Sequence, residues 1–395
     1  VPQYAYATPS TTIGLAIETA RGTLQSPAYW FKVKAPKYKP DLTWNPDETL
    51  QGSMIKVYDL VPGMRYDAHG WDSYPYLDSF PVLLRALLGS SDTVTVAPSS
   101  TTVSSNAAAG ASSIATAGSI AIGSYIVIGS GGTMETHVTT SLTGTTTPYT
   151  IGLAVPLINA QASTTVVTGL TKHQLGLLNN SPSTGNQSPT VTLTDFAGDT
   201  WRWLTASTLD SIDLKGNATG IVDYSCNWFC NAAQSSTTPT ATFTSTEALP
   251  GWTTAILIGG SPVLYWLDFE FDLKRGVKPV GALNYGQQYL SFFQDALMST
   301  GKTTVLLQSN SPELAAYEAG TVQSFDFTTF DMRSGYALNL HSTKAQFNTT
   351  SGIDRSKEWV EVQLDFQLLP SSTDAVAGGV SSIVTTVANG QTGAY

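Results

Sequence analysis

The chain has 395 residues, a formal net charge of −10, and 12% charged against 42% hydrophobic residues. That length allows two or three domains, and Ser, Thr and Gly stand in for the missing charge, a composition of strands and turns rather than charged helices. The acidity and the lack of any Lys/Arg run exclude a surface that grips phosphates, though not one past which nucleic acid slides.

Thr11–Glu18 and Tyr29–Lys34 alternate apolar and polar residues and are predicted strands. Between Ala35 and Ser53 lies a polar passage with Pro36, Pro40 and Pro46, expected to be a long loop or contact arm. Met54–Trp71 is a predicted strand broken near Pro62-Gly63. Asp78-Ser79-Phe80-Pro81 carries a capping residue followed by Pro in the first turn, so a helix is expected through Leu88, stopped at Gly89. At Thr93 the composition changes: residues 93–170 hold one acid, Glu135, and no Lys or Arg. Short strands at 124–129, 136–140, 148–153 and 164–168 predict a small all-β insertion. The Ala/Ser/Gly runs at 104–119 leave a flexible linker as the alternative.

Beyond it, 172–178, 189–196, 200–204 and 209–215 are predicted strands, with a turn at Ala197-Gly198-Asp199. Val222, Tyr224, Cys226 and Trp228 alternate along a further strand, Ile221–Cys230. The two cysteines, Cys226 and Cys230, then share a face about 13 Å apart, too far for a disulfide, and are expected to be buried free thiols. After a polar linker, 231–239, come predicted strands at 252–258 and 263–275, a helix at Gln287–Thr300, strands at 303–308, 321–331, 336–342 and 358–368, and a nearly uncharged tail, 371–395.

The most informative stretch is Val263–Arg275, VLYWLDFEFDLKR. Leu267, Phe269, Phe271 and Leu273 alternate with Asp268, Glu270 and Asp272, so a strand here has one apolar and one acidic face. Acids roughly 6–7 Å apart along a strand repel one another, which requires a wet face. Such a sheet suits the wall of a channel, a merely solvated face being the plainer alternative.

Tyr76-Leu77-Asp78-Ser79-Phe80 at the first expected helix is similar to Tyr289-Leu290-Ser291-Phe292-Phe293 at the second. This suggests tandem duplication of a strand–strand–helix–strand unit over about 28–230 and 251–369. The expected divisions are 1–92 with 171–238 as the first unit, 93–170 as the insertion, 239–370 as the second unit and 371–395 as a C-terminal arm.

No catalytic, cofactor or metal site is expected. His69, His137, His173 and His341 are scattered without ligand spacing, Gly129-Ser130-Gly131-Gly132 lacks the Lys and helix of a phosphate loop, and no GxSxG is present. Trp201 and Trp203 share a predicted strand face, which suits core packing or a subunit interface better than a sugar platform. No stretch is long and apolar enough to span a bilayer, so no membrane insertion is expected. The start, VPQYAYATPSTTIG, shows no secretory signal pattern.

The stretches SFPVLLRALLG (79–89), TLDSIDLKGNATGIVDYS (208–225), LPGWTTAILIGG (249–260) and VLYWLDFEFDLKRGVKPV (263–280) together resemble the tail tube (major tail) proteins of long-tailed, siphovirus-type phages, especially those of actinobacteria. The resemblance covers most of 1–92 and 171–370. It implies a mainly β fold, tail-tube β-sandwich or barrel units with flanking α-helices, here duplicated in tandem and carrying the all-β insertion. It also implies a structural virion protein, made and assembled in the host cytoplasm and located in the virion tail. Its expected partners are itself, in rings and between stacked rings, and other tail proteins at the tube ends; genomic DNA passes without specific binding. A ring of three chains with pseudo-sixfold symmetry is favoured, six chains being the alternative. Asp268, Glu270 and Asp272 are the candidate channel-lining residues. The rival reading from composition is a secreted β-rich carbohydrate-binding or surface module.

Overall fold

The structure, a computed structural model, describes residues 11–49, 55–179, 185–196, 200–283, 286–308, 311–356 and 358–395. The turn expected at 197–199 and Met54 lie outside them. In chain order come β1 (Thr12–Ile17), β2 (Tyr29–Phe31), β3 (Lys37–Asp47), β4 (Asp59–Ser73), α1 (Phe80–Leu88) and β5 (Thr93–Thr95). Next are β6 (Thr101–Thr102), β7 (Ser113–Thr116), β8 (Tyr125–Ile128), β9 (Glu135–Thr143), β10 (Tyr149–Leu153) and β11 (Val166–Gly169). Then follow β12 (Thr171–Gly176), β13 (Val191–Phe196), β14 (Trp201–Asn217) and β15 (Asp223–Cys230). The second half holds β16 (Ala255–Ile258), β17 (Ser261–Val263), β18 (Trp266–Lys274), β19 (Lys278–Val280), β20 (Ser291–Phe293), β21 (Met298–Leu306) and α2 (Pro312–Ala319). It ends with β22 (Gln323–Phe330), β23 (Ala337–Asp354), β24 (Glu361–Leu368) and β25 (Val384–Asn389). The chain is mainly β, as expected.

One layer is an antiparallel sheet in the order β3-β4-β15-β14-β18-β21-β24-β23. The long strands β14 and β23 run out of it into a second layer. There the first part of β14 pairs β13, which continues to β1 and β2. The first part of β23 pairs β22, then β16 and β17, on one side, and β25, then β12 and β5, on the other. Register shifts at Leu209/Ser211 and Phe347/Thr349 lie where each long strand passes between layers, as bulges that bend a strand should.

Alternation puts the apolar residues between the layers. Trp71 stacks on Trp228 with centroids 5.8 Å apart, and its indole N–H donates to the Tyr224 hydroxyl at 2.9 Å. In the second half Phe271, Phe325, Phe327 and Phe366 interlock, with the Phe271 and Phe327 rings edge to face at 5.2 Å. Both groups belong to one continuous core. α1 follows its sequence signals: Pro81 lies in the first turn, every residue except Arg85 is buried, and Gly89 takes a left-handed φ of 89° while donating its N–H to Arg85.

Four expectations are corrected. The passage at 35–53, expected as a loop, forms β3 in a long hairpin with β4, residues 50–53 lying outside the description. Its prolines were misleading because β3 is an edge strand, where a missing N–H on the open side loses no ladder bond. The break at Pro62-Gly63 is likewise only a register shift opposite Leu42/Trp44, and β4 continues through it.

The helix expected at Gln287–Thr300 is instead β20 and the start of β21. Thr300, Thr303, Thr304 and Val305 are β-branched, and burial alternates along β21. Gly301, expected as a helix stop, is where the Phe366 ring lies; an added Cβ would stand 2.1 Å from it. The second helix is α2, with Pro312 in its first turn and Gly320 at a φ of 62°.

The tail at 371–395 is not an arm. β25 is buried along its whole length between β12 and β23, and Tyr395 is buried at the end of the chain. β25 lacks charge because it is covered, not because it is solvated.

Within 93–170, β5 belongs to the main body, and β6-β11-β8-β9-β10-β7 form a separate sheet with its own apolar cluster around Ile114, Ile126, Ile128, Ile151 and Val167. β7 and ordered turns occupy the run at 104–119 that left a linker open. Tyr125, Val127 and Met134 pack on Phe330, Ala337 and Ala388 of the second layer, and Thr136 Oγ1 donates to the Gly335 carbonyl at 2.7 Å.

Candidate channel wall

β18 sits at the middle of the eight-stranded layer, and its side chains alternate as expected. Phe269, Phe271 and Leu273 are buried; Glu270 and Lys274 are exposed, and Asp268 and Asp272 half-exposed, on the opposite face. The neighbouring strands change what that acidic face means. Glu270 lies opposite Lys215 of β14 on one side and Lys302 of β21 on the other. Lys215 in turn lies opposite Asp223 of β15, and Lys302 opposite Asp365 of β24. Lys34 forms an ion pair with Asp223 at the far end. Six charges of alternating sign thus cross the sheet at right angles to the strands, the arrangement in which cross-strand pairs attract. Sequence reading found the acids along one strand and missed this row, because its lysines come from strands distant in the chain.

The other two acids have different roles. Asp268 sits at the register shift of β18 and accepts the Thr304 N–H at 2.7 Å, fastening the bulge. Asp272 lies opposite Asp213 of β14. Partial burial, and then the nearby Asp213 charge, raise the Asp272 carboxyl above the usual carboxylate range. Asp213 is bonded to Lys215 Nζ at 3.3 Å and is the main reason the Lys215 ammonium titrates higher than usual. The face is therefore a mosaic with acids in excess, not a uniform acidic row. Lys37, Lys39 and Asp41 of β3 and Asp72 of β4 extend the polar surface into the first half, with Lys39 bonded to Asp41 at 3.0 Å.

The other flagged residues are structural. Each histidine meets a carboxylate: His69 lies 3.5 Å from Asp195, His137 3.0 Å from Glu135, His173 2.7 Å from Asp92 and His341 2.7 Å from Asp326. Cys226 and Cys230 are buried free thiols, as expected, and burial pushes both well above the usual thiol range. Trp203 is buried in the second layer, and Trp201 stacks on Phe196 at 4.8 Å, so the pair presents no shared open platform. Among the described residues no group of three or more His, Cys, Asp or Glu side chains is placed to hold a metal ion, and no helix is long and apolar enough to cross a membrane.

This is a layered antiparallel β protein with a broad charged sheet face, and among the described residues the two ends of its eight-stranded layer, β3 and the last part of β23, are paired on one side only, the kind of edge that can pair with another chain. The family model described as phage tail tube protein matches residues 8–368, and the chain belongs to that family. It is thus a structural protein of the virion tail, of a kind that assembles with itself into stacked rings and with other tail proteins. A search of curated proteins gave no match.

Proposed function

We propose that the chain forms the tail tube of a siphovirus-type phage of actinobacteria and that the eight-stranded layer lines the channel through which DNA passes. The observation carrying this reading is the charged face of that layer, with Asp268, Glu270 and Asp272 at its middle. Lys34, Lys39 and Lys215 are paired with acids and Lys302 lies opposite Glu270 and Asp365, so cations alternate with acids rather than forming a row offered to phosphate, while the acid excess repels the duplex over a Debye length of about 8–10 Å. DNA then slides without specific contacts. The layer is built from two four-stranded halves, β3-β4-β15-β14 and β18-β21-β24-β23, consistent with tandem duplication. Three chains per ring would present six such sheets, a pseudo-sixfold channel. The insertion, packed on the second layer, would decorate the outside, and the chain would be made and assembled in the host cytoplasm.

Negative-stain microscopy of the purified chain tests the reading. Stacked rings or tubes are expected, with three chains per ring by native mass spectrometry. Single particles with measurable glycan affinity would instead establish a carbohydrate-binding module. Glu270→Lys with Asp272→Lys is expected to leave tubes intact but slow DNA ejection; unchanged ejection would remove these acids from the channel.

A further inference from the structure

The two halves share one pairing scheme. In the first, β1 pairs β2 and β13, then β13-β14-β15-β4-β3 run in order. In the second, β16 pairs β17 and β22, then β22-β23-β24-β21-β18 run in order. Even the irregularities coincide. Register shifts at Val191/Leu193 and Leu209/Ser211 in the first half answer those at Gln323/Phe325 and Phe347/Thr349 in the second. Leu209 pairs Trp228 as Phe347 pairs Phe366. On this scheme α1 corresponds to α2, and the counterpart of β18 is β3.

Within the eight-stranded layer, among the described residues, the halves meet at the ladder of β14 to β18, with Ser211 opposite Lys274 and Ile212 opposite Leu273. The counterparts of these two strands, β23 and β3, are the two ends of the eight-stranded layer. Among the described residues β3 pairs only with β4, and the last part of β23 only with β24; both are largely exposed. Each end therefore lacks the neighbour that its counterpart has inside the chain.

We propose that β23 of one copy pairs antiparallel with β3 of a second copy in the register of the internal junction, setting Thr349 opposite Asp41 and Thr350 opposite Pro40. This rests on the tail-tube reading and names the edges that close its ring. Repeating one junction, now within the chain and now between chains, applies one rotation at every step, and a rotation of one sixth of a turn closes the ring at three chains.

Two details support the match. Arg275 N–H donates to the Asp210 carbonyl and Ala218 N–H to the Leu267 carbonyl, so the odd residues of β18 turn their backbone toward β14. Their counterparts on the open side of β3 are Pro36, Tyr38 and Pro40. The prolines offer acceptors without donors, which blunts the edge against arbitrary strands while leaving Tyr38 to fix register. In addition β23 bulges once more between Thr350 and Ile353, with Gly352 at a φ of 87°, whereas β14, held by β18, pairs β15 without interruption as far as Lys215. Pairing with β3 would straighten that end and bring Gly352 opposite Tyr38.

The test is a double variant, Asp41→Cys with Thr349→Cys, oxidised after assembly. The native cysteines are buried, which confines the chemistry to the new pair. Covalently closed rings are expected, with loss of the monomer band in denaturing gels. The control Lys37→Cys with Thr349→Cys lies on the same face but about 13 Å out of register, and should stay monomeric on the gel. Tubes that assemble without cross-linking, or that cross-link only in the control, would overturn the junction while leaving the tail-tube reading intact. If the unmodified chain forms no rings or tubes, the tail-tube reading itself fails. Hydrogen exchange of the unmodified chain checks the same point without substitution: the Tyr38 and Thr350 amides should exchange about tenfold or more slowly in tubes than in free chains, and equal rates would refute the pairing.

Discussion

Asp272 and Asp213 face each other across the β14–β18 ladder, and that placement has a measurable cost. A carboxyl whose folded pKa is raised binds its proton more tightly in the folded state. The stabilisation is complete below the unfolded value of about 3.9 and is lost as pH rises through the folded pKa. Asp272→Asn removes the titration and the repulsion from Asp213 together. We expect the variant to melt higher than the unmodified chain at about pH 7 and to show no gain at about pH 3, in thermal denaturation of the free chain. A variant less stable at neutral pH would show that the carboxylate is held by attraction. Glu270 is the contrasting case: with Lys215 and Lys302 on either side, its charge is matched where that of Asp272 is not.

At the scale of elements, β25 carries the clearest prediction. It is buried along its length between β12 and β23; Asn389 donates to the Leu77 carbonyl at 2.7 Å, and Asp374 accepts the Thr343 N–H at 2.8 Å. Val387 alone, if truncated to Ala, is expected to cost about 2–4 kcal/mol, in the range for large buried aliphatic side chains. Ending the chain after Pro370 should therefore abolish cooperative unfolding rather than merely weaken ring stacking; a truncated chain that melts normally would refute this. The alternation of Val360–Leu368 and of Leu267–Leu273 made β24 and β18 legible, and the Pro81 and Gly89 signals made α1 so. β3 and β25 were hidden for opposite reasons. β3 carries prolines that only an edge strand tolerates, and β25 is so fully covered that it lacks the alternating polar face by which a half-buried strand is recognised. The site divided the same way: its acids could be read along one strand, but their cross-strand lysines could not, since register is a property of the folded sheet.

At the scale of the molecule, the insertion has a core of its own and a small contact with the second layer. Removing 97–169 with a short Gly/Ser bridge spares β5, whose ladder with β12 belongs to the main body. Tubes with an unchanged number of chains per ring are expected from this shortened chain, with some loss of thermal stability as Phe330 is uncovered; failure to assemble would make the insertion part of the tube. The ladder between β5 and β12 sets Val94 opposite His173, so the chain leaves for the insertion and returns from it on adjacent strands. Any folded module whose own termini lie side by side meets that geometric demand. Assembly of the shortened chain would make this ladder a socket: a site where cargo can be exchanged without redesigning the parts that assemble, repeated at every copy along the tube.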